Sequence, residues 1–168
     1  MSITPNLILF GMVGGLAALL SVGVVAFNNP VRSALCLVVN FLLLAVLYFT
    51  LRAELLGITQ VVVYTGAIMV LFLFVIMLLN LGLPGPLEKF DLKKPVGILL
   101  GFGLFAMLAS QILPGMMRFT EPLARDDFGK PEAIGRTLFT QYAFPFEAVS
   151  VLLLIGIVGS ILLAKRRI

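Results

Sequence analysis

Four stretches of this chain carry no charged residue over a length that only a bilayer explains: Asn6 to Phe27, Ser33 to Leu51, Leu55 to Asn80 and Val96 to Met117. Crossing about 30 Å of hydrocarbon takes roughly 20 helical residues at ~1.5 Å each, and each of the four runs meets that requirement. A fifth run, Ala148 to Ala164, is shorter. It is bounded by Glu147 and by Lys165, Arg166 and Arg167, whose long basic stems reach the interface, so it counts as a span. The expected fold is all-α: one polytopic membrane domain with five transmembrane helices near 6–27, 32–51, 55–80, 96–117 and 144–164.

Composition agrees, because 61% hydrophobic and 12% charged residues make the 168-residue length a count of helices rather than of domains. The formal charge of +4 is spread over span ends and loops without aromatic interleaving, so no nucleic-acid groove is expected. The chain holds one cysteine, Cys36, and no histidine. A disulfide framework, a zinc site and histidine-ligated haem are thereby excluded within it. The first apolar run lacks a basic leader and exceeds a signal core, so it is expected to stay in the mature protein.

Orientation follows from the distribution of Lys and Arg, which favours cytoplasmic loops. With the N-terminus outside, seven fall inside (Arg32, Lys89, Lys93, Lys94, Lys165, Arg166, Arg167) and five outside (Arg52, Arg118, Arg125, Lys130, Arg136). The expected topology is N-terminus outside and C-terminus cytoplasmic, with an inner loop over 81–95 and an outer loop over 118–143. The outer loop carries an amphipathic piece near Glu132 to Phe139, expected to lie on the membrane surface.

Most motifs dissolve on inspection. Gly101 to Ala106 matches a dinucleotide fingerprint in letters, but it lies inside a span where no strand precedes it. Small residues four apart (Gly11 with Gly15, Gly97 with Gly101, Gly156 with Ser160) read as close-packing faces toward other helices of this chain or of partner subunits. Glu54 and Glu147 adjoin the spans, each expected in the first turn of a helix, where the dipole favours a carboxylate. The alternative is that one of them joins a buried relay.

The third span is the informative one. As a straight helix its 26 residues measure about 39 Å, more than the hydrocarbon core, and Tyr64 falls roughly 14 Å in. Gln60 and Tyr64 share a face, with Thr59, Val63, Gly66, Ala67 and Val70 in the adjoining sector. Val61, Ile68, Met69, Phe72 and Ile76 gather opposite, on a face suited to lipid or to a tight apolar partner. Gly66 weakens the helix locally, Thr65 can bond back to a carbonyl, and Tyr64 brings a hydroxyl.

Two readings follow. Gln60 and Tyr64 are interhelical glue with Gly66 as a contact point. Alternatively a single π-type turn at Tyr64, Thr65 and Gly66 rotates the downstream helix by about 100°. Leu71 and Phe74 then swing as an apolar gate beside a water path, for which Gln60, Tyr64, Glu54 and Glu147 are the candidates.

The segments ELLGITQVVVYTGAIMVLFLFVIMLLN and YAFPFEAVSVLLLIGIVGSILLAKRR, with the five-span layout, resemble the subunit J (chain 6) family of the proton-translocating NADH:quinone oxidoreductase, respiratory complex I. The resemblance covers essentially the whole chain. It implies a membrane-arm subunit of a bacterial cytoplasmic membrane that binds no cofactor itself, in a complex using NADH, FMN, iron-sulfur clusters and quinone. Implied partners are the quinone-proximal subunit, the small three-helix subunit and the antiporter-like subunits, besides lipid. It also implies a π-bulge near Tyr64 and Gly66 that controls hydration between the quinone cavity and the antiporter-like subunits. Other classes compatible with the residues are a subunit of a multisubunit cation/proton antiporter and a purely structural scaffold.

Overall fold

The computed structural model describes residues 5–79, 93–116 and 128–165. Those residues are helical apart from short connections, and five helices are long and apolar enough to cross a membrane. The first span is Pro5–Ala26, the second Pro30–Thr50, the third Glu54–Leu79, the fourth Lys93–Met116 and the fifth Ala143–Ala164; a surface helix, Pro131–Thr140, precedes the fifth. Residues 80–92 and 117–127, which include Lys89, Arg118 and Arg125, and the terminal Arg166 and Arg167 lie outside the described residues.

The first three spans pack on one another. Asn29 starts the second: its Oδ1 accepts from the amides of Val31 (2.9 Å) and Arg32 (3.3 Å), while Pro30 takes the first helical position, where no donor is needed. Asn29→Ala is expected to remove this cap at a cost of about 1 kcal/mol. The check is faster hydrogen exchange at the Val31 and Arg32 amides.

Small residues line the seams. Ala34 is 3% and Ala45 1% exposed, Ala17 is buried, and a Cβ added at Gly23 would meet Cys36 Sγ at 3.5 Å. In lipid, where apolar burial does not drive association, such residues let backbones approach and gain dispersion contact. Polar ties add register: Ser33 Oγ donates to Val24 O, Asn40 Nδ2 donates to Ser21 Oγ (2.9 Å), and Ser21 Oγ donates to Ala17 O (2.9 Å). The glycines expected to face other helices of this chain or of partner subunits stand apart from these seams. A Cβ at Gly11, Gly15, Gly97, Gly101 or Gly156 meets nothing within 4 Å among the described residues.

The second span ends in a tight reversal. Arg52 N–H donates to Phe49 O and Ala53 N–H to Tyr48 O, the paired bonds of a Schellman motif, with Arg52 in the left-handed region (φ 59) that glycine usually fills. The third span then runs back along the second, and Gly57 meets the Phe49 ring so closely that a Cβ there would lie 2.8 Å from it. The fourth and fifth spans contribute no buried residue within their apolar windows. The surface helix joins the fifth span through an edge contact between Phe139 and Phe146, with ring centroids 4.9 Å apart.

Candidate functional site in the third span

The third span changes winding partway. Glu54–Thr59 is α-helical, Gln60–Ile68 is π-helical over nine residues, and Met69–Leu79 returns to α. The Met69 amide donates to the Tyr64 carbonyl, five residues back, and Thr65 Oγ1 donates to Gln60 O at 3.0 Å, also five back. Such winding leaves backbone groups without their usual partners, and a hydroxyl is one of the few groups that can satisfy them at membrane depth. A single π-type turn is one of the two readings the sequence leaves open; in the structure nine residues are π-wound.

Gly66 belongs to this geometry. A Cβ there would lie 3.3 Å from the Val61 carbonyl oxygen, again five residues earlier. Tyr64 presents its ring edge-on to Phe41 of the second span, with centroids 6.0 Å apart and an interplanar angle of 82°, an arrangement that suits aromatic quadrupoles.

Winding also reassigns the faces. Gln60 and Met69, nine residues apart, would stand about 180° apart on a straight α-helix. Both are buried, at 8% and 6% exposed. Phe72 and Ile76, from the sector suited to lipid or to an apolar partner, line a cleft with Val24, Pro30, Ser33, Ala34 and Leu37, so the partner is the helix pair beside them. Extra residues per turn rotate the downstream segment, which brings Met69 round to the side where Gln60 already lies.

The remaining candidates divide. Glu54 is in the first turn of the third span and half-buried. Glu147 is a correction: the fifth span begins at Ala143, with no acidic residue in its first turn, and Glu147 lies exposed one turn further along. The helix starts one residue ahead of the expected 144, and Pro145 is accommodated because the donors of a first turn are unpaired. Leu71 (64%) and Phe74 (59%) are exposed on this chain, so a gate built from them closes against another molecule or not at all.

Charge-based scanning missed Asn40. It is 8% exposed, and its Oδ1 is buried without a hydrogen-bond partner among the described residues. Its signal was available: it is the one amide side chain in the run Ser33 to Leu51.

These features define a polytopic, all-helical integral membrane protein whose longest span is π-wound across its middle. The profile of the NADH-ubiquinone/plastoquinone oxidoreductase chain 6 family matches residues 20–163, and the chain belongs to that family. It is similar to NADH-quinone oxidoreductase subunit 10 of Thermus thermophilus, at 38% identity over 98% of this chain and 90% of the relative. It is also similar to NAD(P)H-quinone oxidoreductase chain 6 of Synechocystis, at 38% identity over 87% and 74%. NADH-quinone oxidoreductase subunit J of Pseudomonas aeruginosa is 32% identical over 94% and 95%. The chain is therefore a membrane subunit of an NADH-quinone oxidoreductase, complex I.

Proposed function

We propose that this chain is a non-catalytic subunit of the membrane arm, coupling quinone reduction to proton translocation through a change of winding in its third span. The observation that carries the reading is the π-wound stretch Gln60–Ile68, with Thr65 bonded to Gln60 O and Met69 to Tyr64 O. A π-wound and an α-wound register of the same helix differ by about 100° of downstream rotation per extra residue. Leu71 and Phe74 are carried by that rotation and act as the apolar gate. Gln60, Tyr64 and Glu54 line the hydrated side, with Glu147 nearer the surface.

In this reading NADH, FMN, iron-sulfur clusters and quinone are held by other chains. The neighbours are the quinone-proximal, small three-helix and antiporter-like subunits. The N-terminus is outside and the C-terminus cytoplasmic, in a bacterial cytoplasmic membrane. Support for that orientation comes from the seven-to-five distribution of Lys and Arg.

Tyr64→Phe tests the coupling. The ring contact with Phe41 survives the substitution and only the hydroxyl is lost. The expected result is an assembled complex with NADH oxidation near the wild-type rate and fewer protons moved per NADH in sealed vesicles. Unchanged stoichiometry would leave the hydroxyl with no part in the water path.

A further inference from the structure

The third span begins without a side-chain cap. Its N-cap residue is Ala53, which has no group to accept from the first amides, and these lack intrahelical acceptors by construction. One of them is met from far along the chain: the Leu55 amide donates to the Gly129 carbonyl at 3.1 Å. The approach is backbone against backbone. A Cβ at Gly129 would overlap the Arg52 carbonyl oxygen and stand 2.8 Å from Ala53 Cα, neither of which belongs to a side chain that can turn away.

The elements on either side of this contact are firm. The Schellman turn at Leu51–Ala53 fixes the preceding link, and Gly57 is buried against Phe49 one turn into the helix. At the other end of the span, past the π-wound stretch, Met69 is the buried residue, while Leu71, Phe74, Met77, Leu78 and Leu79 are exposed.

We propose that the turn Phe128–Lys130 is a clamp on the Glu54 end of the third span, so that rewinding at Gln60–Ile68 is delivered to Met69–Leu79 and not to Glu54–Thr59. A helix held at one end rotates at the other. Gly129 is the positioning residue, because only a residue without a Cβ lets its carbonyl reach the Leu55 amide. The direction of transmission rests on the winding reading above; the clamp does not.

Hydrogen exchange on the intact complex tests both parts. The Leu55 amide is expected to be protected in the wild type and to exchange at least about tenfold faster in Gly129→Ala. Gly135→Ala, where a Cβ meets nothing within 4 Å, is the control expected to leave it unchanged. During NADH turnover, amides from Met69 onward are expected to change protection while Leu55 to Ile58 do not.

A wild-type Leu55 amide exchanging like an exposed loop overturns the clamp, as does unchanged protection in an assembled Gly129→Ala complex. If that variant fails to assemble, the wild-type measurement decides alone, since a first-turn amide has no intrahelical acceptor and the Gly129 carbonyl is the acceptor that Leu55 finds among the described residues. Protected Leu55 with no turnover-dependent change at Tyr64–Val70 sinks the winding reading and leaves the clamp standing. A change spreading equally to Leu55–Ile58 overturns the direction.

Discussion

Gly66→Val is expected to uncouple the complex, leaving NADH oxidation measurable while proton translocation falls by an order of magnitude or more. The reason is specific to the π winding. In that register the Val61 carbonyl lies 3.3 Å from where a Cβ would stand at position 66, tighter than ordinary van der Waals contact, and valine adds two methyl groups beyond the Cβ. Regular α winding moves that carbonyl out of the way, because it is five residues back and not four. Crowding of this kind typically costs about 1–3 kcal/mol, and a two-state equilibrium biased by that much shifts by roughly 5–150-fold. Gly66→Ala, whose single methyl the carbonyl can accommodate by a few tenths of an ångström, should fall between wild type and valine. Proton stoichiometry in sealed vesicles, read beside NADH oxidation, gives the ranking. Equal stoichiometry in all three would mean that the winding at Gln60–Ile68 has no part in coupling.

The second large effect is expected at Gly57, where a Cβ would stand 2.8 Å from Phe49 Cε1. The obstacle is an aromatic ring and not backbone, so Gly57→Ala is tolerated only if Phe49 turns, and Gly57→Leu forces the second and third spans apart. Overpacking of a seam typically costs about 1–3 kcal/mol. Phe49→Ala alone removes the ring and leaves a gap. Combined with Gly57→Leu it is expected to recover most of the loss, with a coupling energy of about 0.5–3 kcal/mol between the two sites. Thermal inactivation of the assembled complex measures it. Strictly additive effects would show that the two residues do not meet.

The sequence made the spans legible for a simple reason: uncharged length converts to helix and helix to thickness, without reference to any neighbour. Positions near Tyr64 were legible as polar and glycine-bearing, but the extent of the π winding was not, since it depends on which carbonyls pair five residues apart. The face of Met69, Phe72 and Ile76 depended in turn on that winding. Glu147 was misplaced because the fifth span starts at Ala143, one residue ahead of the expected 144, which carries Glu147 just past the first turn. Asn40 escaped because an amide carries no charge, although a buried amide in hydrocarbon constrains its neighbours strongly. Gly129 was invisible in principle. Nothing in its own surroundings announces that its carbonyl caps a helix whose first residues lie in the fifties.

The ties between the first two spans carry a consequence for biogenesis. The Asn29 cap, the Ser33 bond and the Asn40–Ser21 link all lie within the first forty residues. As the nascent chain enters the bilayer, this hairpin can lock before its successors leave the ribosome, and the third span arrives on a finished template that already displays Phe41 and Phe49. Translation order and packing order therefore coincide for the leading half of the molecule.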